Sequence, residues 1–181
     1  ERLATSTTLS DLFLIDSFST VLSALARKKI RFLVVGGVAV NAHGFQRFTR
    51  DLDLVIDLEP LNLKNEMEVF SSLGFESRVP VKIQDFLDEK TRTQWIEEKN
   101  MTVFSLVSND LGGLVVDLFA YLPFNFESTF EKSFQDQLED TSCPISFIDL
   151  DSLIEMKRCA GRDIDLRDVE ELLAIKNELK S

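Results

Sequence analysis

Apolar residues recurring at intervals of three and four positions predict helices in four parts of the chain. These parts span residues 9–27, 60–73, 150–159 and 164–179. The apolar face of the first helix is formed by Leu12, Ile15, Phe18, Leu22 and Leu25. Ser10 is its expected N-cap. Pro60 and Gly74 stand where helices favour them, at the first helical position and just after the end.

Short apolar runs bounded by turn residues predict strands between these helices. They span residues 31–35, 52–56, 101–107, 114–120 and 145–148. The sequence Asn-Asp-Leu-Gly-Gly at 109–113 predicts a hairpin turn between the third and fourth strands. Small residues at 37–43 predict a short helix packed tightly against a strand. Weaker patterns predict a strand at 75–79, a helix or loop at 83–98 and a helix at 126–138.

Strands interleaved with helices, plus one hairpin, predict a mixed α/β sheet flanked by helices and a helical C-terminal end. A length of 181 residues, 44% of them hydrophobic, fits one domain with a substantial core. We therefore expect a single domain over residues 1–181, with its core at about 30–150 and its helical C-terminal part at about 150–181.

Asp51 and Asp53 stand one residue apart at the start of a predicted strand. Side chains at positions i and i+2 of a strand point to the same face, so these carboxylates project together while Leu52 and Leu54 face the core. Carboxylates this close raise each other's pKa unless a cation lies between them. Mg²⁺ is commonly held by one or two carboxylates together with substrate phosphates. The pair therefore predicts a metal site that a nucleotide completes.

Asp117 is the only charged residue in the predicted strand 114–120. If that strand neighbours the strand 52–56, Asp117 joins the aspartate pair. Two Mg²⁺ ions about 3.5–4 Å apart could then clamp an in-line phosphoryl displacement. Asp117 would also be placed to take the proton from an attacking hydroxyl. The competing interpretation is an edge-strand residue that faces solvent.

Gly36 and Gly37 form the corner between the strand 31–35 and the small-residue helix. Without a Cβ atom, glycine lets backbone N–H groups approach a phosphate closely. The order of the parts strengthens this weak signal: a strand, Gly-Gly, a helix, a strand with Asp-x-Asp and a later strand with one Asp.

This order resembles the nucleotidyltransferase superfamily that includes DNA polymerase beta, the aminoglycoside and lincosamide nucleotidyltransferases and the minimal nucleotidyltransferases. The matching motifs are Val35-Gly36-Gly37 and Asp51-Leu52-Asp53-Leu54, with thirteen residues between them. The resemblance covers roughly residues 30–57, 113–120 and 145–173. It implies a nucleotidyltransferase-like fold, two Mg²⁺ ions and a nucleoside triphosphate seated by Gly36 and Gly37.

The Gly-Gly form, with Arg47, Thr49, Arg50 and the C-terminal segment 153–168, is similar to the abortive-infection toxin branch of that superfamily. The resemblance implies that Lys157 contacts nucleotide phosphates and that an antitoxin is a partner. Position at the mouth of the site makes Thr49 and Arg50 candidates for phosphate contact. The competing interpretations are ordinary loop residues for Thr49 and Arg50, and a solvated helix lysine for Lys157.

Other polar residues have simpler interpretations. Asp-apolar-Asp recurs at 149–151 and 163–165, in both cases before a predicted helix, where aspartates cap free N–H groups and favour the helix dipole. Arg162 is expected to bridge to Asp165 or Asp168. We expect His43 to be packed and hydrogen-bonded rather than a catalytic base, and Trp95 to be an anchor in the core or at an interface.

The net charge of −11 argues against long nucleic acids as substrates. The only tight basic cluster, residues 27–31, is interpreted as a solvated helix end. Two cysteines without metal-binding spacing fit a reduced, cytoplasmic setting. No apolar run approaches the roughly 20 residues of a membrane span, and no signal pattern is recognised, so no membrane partner is expected.

The predicted reaction is transfer of a nucleoside monophosphate from an NTP to an acceptor hydroxyl on a small molecule, a protein or an RNA end. A toxin-antitoxin role is implied by the resemblance alone. Two alternatives stay open. One is an inactive module on the same fold that senses nucleotides or binds a partner. The other is a polymerase-like enzyme, which would need a basic channel.

Overall fold

The computed structural model describes the backbone of residues 9–137 and 143–180, and the side chains of the same ranges from residue 16 onward. A 3₁₀ turn spans Ile83–Leu87. The other elements are α1 (Leu9–Arg27), β1 (Phe32–Val34), α2 (Gly36–Ala42), β2 (Asp51–Ile56), α3 (Pro60–Ser72), β3 (Phe75–Ser77), α4 (Glu89–Lys99), β4 (Val103–Ser108), β5 (Leu114–Phe119), α5 (Phe126–Lys132), β6 (Phe134–Gln137), β7 (Pro144–Phe147), α6 (Leu150–Ala160) and α7 (Asp163–Glu178).

Seven strands in the described residues form one mixed sheet in the order β3-β4-β5-β2-β1-β7-β6. Two neighbouring pairs, β2 with β5 and β1 with β7, run parallel, and the other pairs run antiparallel. This sheet with its flanking helices confirms the predicted α/β class. The hairpin at 109–113 is also confirmed, because Ser108 at the end of β4 pairs with Leu114 at the start of β5.

Helices cover both faces of the sheet, and strand alternation divides the apolar residues between two cores. On β2, Leu52 and Leu54 are fully buried in a large core shared with α1, α3 and α4. Val55 points to the opposite face and is fully buried in a second core with α2, α6 and α7. Asp51 and Asp53 lie on the face of Val55, at the edge of the second core. The sheet therefore presents them beside a helical layer.

Two predictions about single elements need correction. The helix predicted over 126–138 stops at Lys132, and Phe134–Gln137 forms strand β6 instead. The physical reason is its pairing with β7, in which the Phe134 ring stacks on Phe147 at 5.2 Å. Residue 138 lies outside the described part of the chain. The second correction concerns Ser10, which lies inside α1 rather than before it.

Several side chains have the packing roles expected of them. His43 is half-buried, and its Nε2 lies 2.8 Å from the carbonyl oxygen of Ile148. Burial lowers its pKa, although that contact opposes the shift. Trp95 is buried and stacks on Phe104 at 5.1 Å. Asp149 caps α6 by accepting a hydrogen bond from the backbone N–H of Ser152.

Glu66 of α3 is fully buried within the described structure, and neither of its carboxylate oxygens has a hydrogen-bond partner there. Burial raises its pKa well above the usual 4.5. An unpaired buried carboxylate is costly, so the fold favours the protonated form of this side chain.

Among the residues described, no helix combines the length and apolar character that a membrane span requires.

Candidate active site

The register between β2 and β5 brings the three predicted aspartates together. Asp53 is directly paired with Asp117 in this parallel pair, and Asp51 is paired with Val115 one step earlier. Neighbouring strands lie about 4.8 Å apart, and paired residues point to the same face of a sheet. Asp51, Asp53 and Asp117 therefore share one small area of the sheet. Asp117 is on an interior strand, between β4 and β2, which contradicts the alternative of an edge-strand residue.

Burial and neighbouring charge raise the pKa values of two of these carboxyl groups. Burial, followed by the charges of Asp117 and Asp51, raises the pKa of Asp53 from 3.8 to about 6. The positive charge of Lys157 and a hydrogen bond from the backbone of Gly37 oppose this shift. Burial and the charge of Asp117 also raise the pKa of Asp51, against the opposing charges of Arg78 and Arg50.

The glycine corner stands directly over this area. Gly36 has a φ of +62°, and a Cβ atom there would lie 1.9 Å from the Oδ2 atom of Asp53. A Cβ atom on Gly37 would lie 2.5 Å from the Oγ1 atom of Thr49. Both positions therefore require glycine, because the backbone at the start of α2 packs against Asp53 and Thr49.

A cleft of about 1170 Å³ opens between this corner, the aspartate-bearing face of the sheet and α6. It is lined by every residue predicted for the site: Gly36, Gly37, Thr49, Arg50, Asp51, Asp53, Asp117 and Lys157. The two loop residues are held differently. Thr49 is half-buried, with its hydroxyl 3.4 Å from the carbonyl oxygen of Asp51. Arg50 is exposed and stacks on the Phe48 ring at 5.5 Å.

Lys157 is buried, and this position contradicts the alternative of a solvated helix lysine. Its Nζ atom lies 2.9 Å from Oδ1 of Asp165 and 2.9 Å from Oδ2 of Asp168. The two carboxylates therefore neutralise much of its charge. Contact with nucleotide phosphates stays a prediction, and Lys157 would make that contact while held by α7.

The structural roles predicted for 163–165 need a partial correction. Asp165 is fully buried and pairs with Arg162 at 2.6 Å, as well as with Lys157, instead of capping α7. Burial acts to raise its pKa, but the hydrogen bonds from Arg162 and Lys157 lower it from 3.8 to about 2. The expected bridge from Arg162 is thus confirmed for Asp165.

Sequence reasoning missed the role of Arg47. Its guanidinium makes two hydrogen bonds to the Asp168 carboxylate, of 2.7 and 2.8 Å. This bidentate contact ties the loop between α2 and β2 to α7. Asp168 thereby links Arg47 and Lys157 in one buried network. Only long-range contacts reveal this network, because Arg47 and Asp168 are 121 positions apart.

Arg78 and Ser105 were also missed. The backbone N–H of Arg78 donates to the carbonyl oxygen of Ser105, and the Ser105 hydroxyl donates to Oδ1 of Asp117 at 2.5 Å. Both residues lie on the side of Asp117 away from the glycine corner. The sequence offered one signal, since Ser105 interrupts an apolar alternation between Val103 and Val107 on β4.

The aspartates have the chemistry of a divalent-cation site. Within residues 16–137 and 143–180, no three His, Cys, Asp or Glu side chains are grouped closely enough to form a ready-made metal site. Mutual repulsion keeps like charges apart when no cation is between them. Carboxylate oxygens are nevertheless the ligands that Mg²⁺ prefers, and burial followed by the charge of Asp117 raises the pKa values of Asp51 and Asp53. Asp51, Asp53 and Asp117 thus fit such an ion.

No protein-family model matches the sequence, and no curated protein matches it. Several solved structures resemble this one, including the following three. The lincosamide antibiotic adenylyltransferase LnuA bound to lincomycin is 14% identical, with a TM-score of 0.56 over 94% of this chain and 99% of that chain. JHP933 from Helicobacter pylori is 15% identical, with a TM-score of 0.53 over 92% of this chain and 67% of that chain.

The third structure is an antigenic nucleotidyltransferase-like protein from Paracoccidioides brasiliensis. It is 19% identical, with a TM-score of 0.50 over 88% of this chain and 77% of that chain. At such identities the likeness establishes architecture, which here extends over most of the chain. Together with the glycine corner and the aspartates on paired strands, these comparisons show that the chain has the fold of the nucleotidyltransferase superfamily.

Proposed function

We propose that this protein is a metal-dependent nucleotidyltransferase that moves a nucleoside monophosphate from an NTP to an acceptor hydroxyl. The observation that carries the proposal is the parallel register that places Asp53 beside Asp117, with Asp51 on the same face and Gly36 directly above Asp53. Three carboxylates on one face of a sheet repel one another, so the stability of the sheet does not explain their placement in one cleft.

Each part of the site has its own task in the proposed reaction. Gly36 and Gly37 offer backbone N–H groups to the triphosphate, and Thr49 and Arg50 contact its phosphates from the neighbouring loop. Asp51, Asp53 and Asp117 would hold two Mg²⁺ ions. Bound there, the ions would neutralise charge on the phosphates and on the attacking oxygen. Lys157 and Arg162 add positive charge beside Asp53.

Asp117 is proposed as the base. A new bond forms between the acceptor oxygen and the α-phosphorus of the NTP, the bond from that phosphorus to the bridging oxygen breaks, and pyrophosphate leaves. The proton of the acceptor hydroxyl goes to a carboxylate oxygen of Asp117. In this proposal the acceptor lies over β5 and β4, because an in-line attack comes from the side opposite the leaving pyrophosphate, which the glycine corner would hold.

The acceptor is proposed to be a small molecule, a protein or a single RNA end. The lincosamide adenylyltransferase with its bound lincomycin supports the small-molecule class. The net charge of −11 disfavours long nucleic acid. A toxin role with an antitoxin partner is proposed from sequence resemblance alone. A cytoplasmic setting is proposed from the two cysteines, which lack metal-binding spacing.

The proposal is tested by incubating the purified protein with each labelled NTP, Mg²⁺ and a cell extract, and measuring pyrophosphate release and labelled products. We expect one or more NTPs to react, and Asp53→Asn and Asp117→Asn to lower the rate by roughly a hundredfold or more. Asp151→Asn is the control, since Asp151 is an exposed residue paired with Lys176 on the helical surface. Tight NTP binding without pyrophosphate release would instead favour the inactive sensing module.

A further inference from the structure

We propose that Ser105 is a positioning residue for Asp117, setting the direction of its carboxylate toward the divalent cation. This inference rests on the proposed function. The Ser105 hydroxyl donates to Oδ1 of Asp117 at 2.5 Å, at the short end of the range for a hydroxyl donating to a carboxylate. Engaging Oδ1 in this way leaves Oδ2 to face the cation or the acceptor proton.

The register fixes this contact. Ser105 and Asp117 are directly paired in the antiparallel β4 and β5 strands, while Asp117 and Asp53 are directly paired in β5 and β2. Residues that are directly paired share a face, so Ser105, Asp117 and Asp53 form one row across three strands. Asp117 thus has a like charge on one side and a hydrogen-bond donor on the other.

Ser105 and Asp117 are polar residues at paired positions, and each has apolar residues two positions before and after it on its own strand. On this face β4 presents Val103, Ser105 and Val107, and β5 presents Val115, Asp117 and Phe119. Valine suits a strand better than serine does, so strand formation alone does not explain Ser105. The interruption is explained by a need for a donor opposite Asp117.

The consequence is a fixed carboxylate. A hydrogen bond to one oxygen restricts rotation of the Asp117 side chain, which repulsion from Asp53 would otherwise turn away from the cleft. Groups that hydrogen-bond to metal ligands in this way typically change metal affinity by about 10-fold to 100-fold when they are removed. Ser105 would therefore act on the cation through Asp117, without contacting it.

The matched variants are Ser105→Thr and Ser105→Val. Their side chains have nearly the same shape, and valine has a methyl group where threonine has its hydroxyl. Binding of Mn²⁺ is measured by calorimetry and electron paramagnetic resonance, with the full chain and an NTP analogue that cannot be cleaved at the α-phosphorus. We expect Ser105→Val to weaken Mn²⁺ binding by about tenfold or more, and Ser105→Thr to stay close to the wild type. Ser77→Ala on β3 is the control, because Ser77 pairs with Leu106 and points to the opposite face.

Equal Mn²⁺ affinity for the Thr and Val variants would overturn the proposal, whether both match the wild type or both are weakened. Asp53→Asn separates this failure from failure of the metal site. If Asp53→Asn also leaves Mn²⁺ binding unchanged, the proposed function is wrong. If Asp53→Asn abolishes binding while the two Ser105 variants agree, only the role of Ser105 is wrong.

Discussion

Gly36 gives the Asp53 carboxylate its place at the corner between β1 and α2. A Cβ atom at Gly36 would collide with Oδ2 of Asp53, and its φ of +62° also disfavours other residues. Gly113 has a φ of +79°, but a Cβ atom there would meet nothing within 4 Å, so it shares the strain without the collision. Comparing substitutions at these two glycines therefore distinguishes the cost of an unfavourable φ from the effect of displacing Asp53.

We predict that Gly36→Ala and Gly113→Ala each lose on the order of 1–2 kcal/mol of unfolding free energy from backbone strain. Only Gly36→Ala should also weaken binding of Mg²⁺ and NTP, because it displaces Asp53. Urea denaturation gives the stabilities, and calorimetric titration gives the affinities. Nucleotide affinity that is the same in both variants would contradict the assigned geometry.

A second prediction concerns the proton on Asp53. Because its pKa is raised from 3.8 to about 6, the carboxyl binds a proton in the metal-free protein below about pH 6, and this proton competes with a cation. Mn²⁺ affinity should therefore fall as the pH is lowered through 6. The folded state holds this proton more tightly than the unfolded chain, so the associated stability is lost as the pH rises from 3.8 to 6.

The measurement is a series of Mn²⁺ titrations on both sides of that pKa, with urea unfolding of the metal-free protein under the same conditions. Asp53→Asn should remove the part of the pH dependence of the unfolding free energy that the Asp53 proton causes. A metal affinity that does not change over this range would show that Asp53 is not a ligand.

At the scale of single residues, local patterns predicted the aspartates and glycines, because strand alternation and glycine chemistry depend on near neighbours. They did not predict the surroundings of Lys157, which depend on the packing of α6 against α7. They also missed Arg47, whose partner Asp168 is distant in sequence. Long-range ion pairs leave no local periodicity by which they could be recognised.

Among the elements, α6 and α7 are joined by the buried network around Lys157. The side chains of Lys157, Asp165 and Asp168 are at most 6% exposed, so removing the lysine would leave two buried carboxylates with one cationic partner fewer. Arg162 and Arg47 continue to pair with them. The network is therefore expected to stabilise the contact of these two helices with each other and with the loop between α2 and β2.

We predict that Lys157→Met lowers the unfolding free energy by about 3 kcal/mol, at the lower end of the range for broken buried pairs. Lys176→Met is the control, since Lys176 pairs with the exposed Asp151 and should lose less than about 1 kcal/mol. Urea denaturation of both variants tests this difference. Equal stabilities would mean that the network contributes little to the contact between α6 and α7.

Helix α3 carries a buried carboxyl group, Glu66, that has no hydrogen-bond partner in the described structure. Its raised pKa means that the folded state favours the protonated form, so wild-type stability should fall as the pH rises above the usual 4.5. Glu66→Met should remove this dependence and raise the unfolding free energy at neutral pH by about 1–3 kcal/mol. The exposed Glu68 of the same helix provides the control variant Glu68→Met. A less stable Glu66→Met protein would contradict an unpaired carboxyl.

The order and type of most elements followed from periodicity, but β6 did not. Phe134–Gln137 becomes a strand because Phe134 stacks on Phe147 and the two segments pair their backbones. Tertiary pairing thus overrides a weak helical pattern. The order of the strands in the sheet could not be predicted from local patterns either. The adjacency of β2 and β5 was assumed in the sequence analysis, and it is set by how all the strands pair.

On the scale of the whole molecule, the cleft combines basic and acidic side chains within a chain of net charge −11. Its basic side chains are Arg47, Arg50, Lys157 and Arg162, and its acidic side chains are Asp51, Asp53, Asp117, Glu155 and Asp165. Such an arrangement favours a compact anion carrying its own cations over a long polyanion. A nucleoside triphosphate bound with Mg²⁺ has this character.

The most direct test of the three-carboxylate site is a crystal structure of the protein with Mn²⁺ and an NTP analogue that cannot be cleaved at the α-phosphorus, with anomalous scattering used to locate the ions. The account predicts anomalous peaks coordinated by Asp51, Asp53 and Asp117, with the triphosphate against Gly36 and Gly37. Ions or nucleotide bound elsewhere, or bound without Asp117, would contradict it.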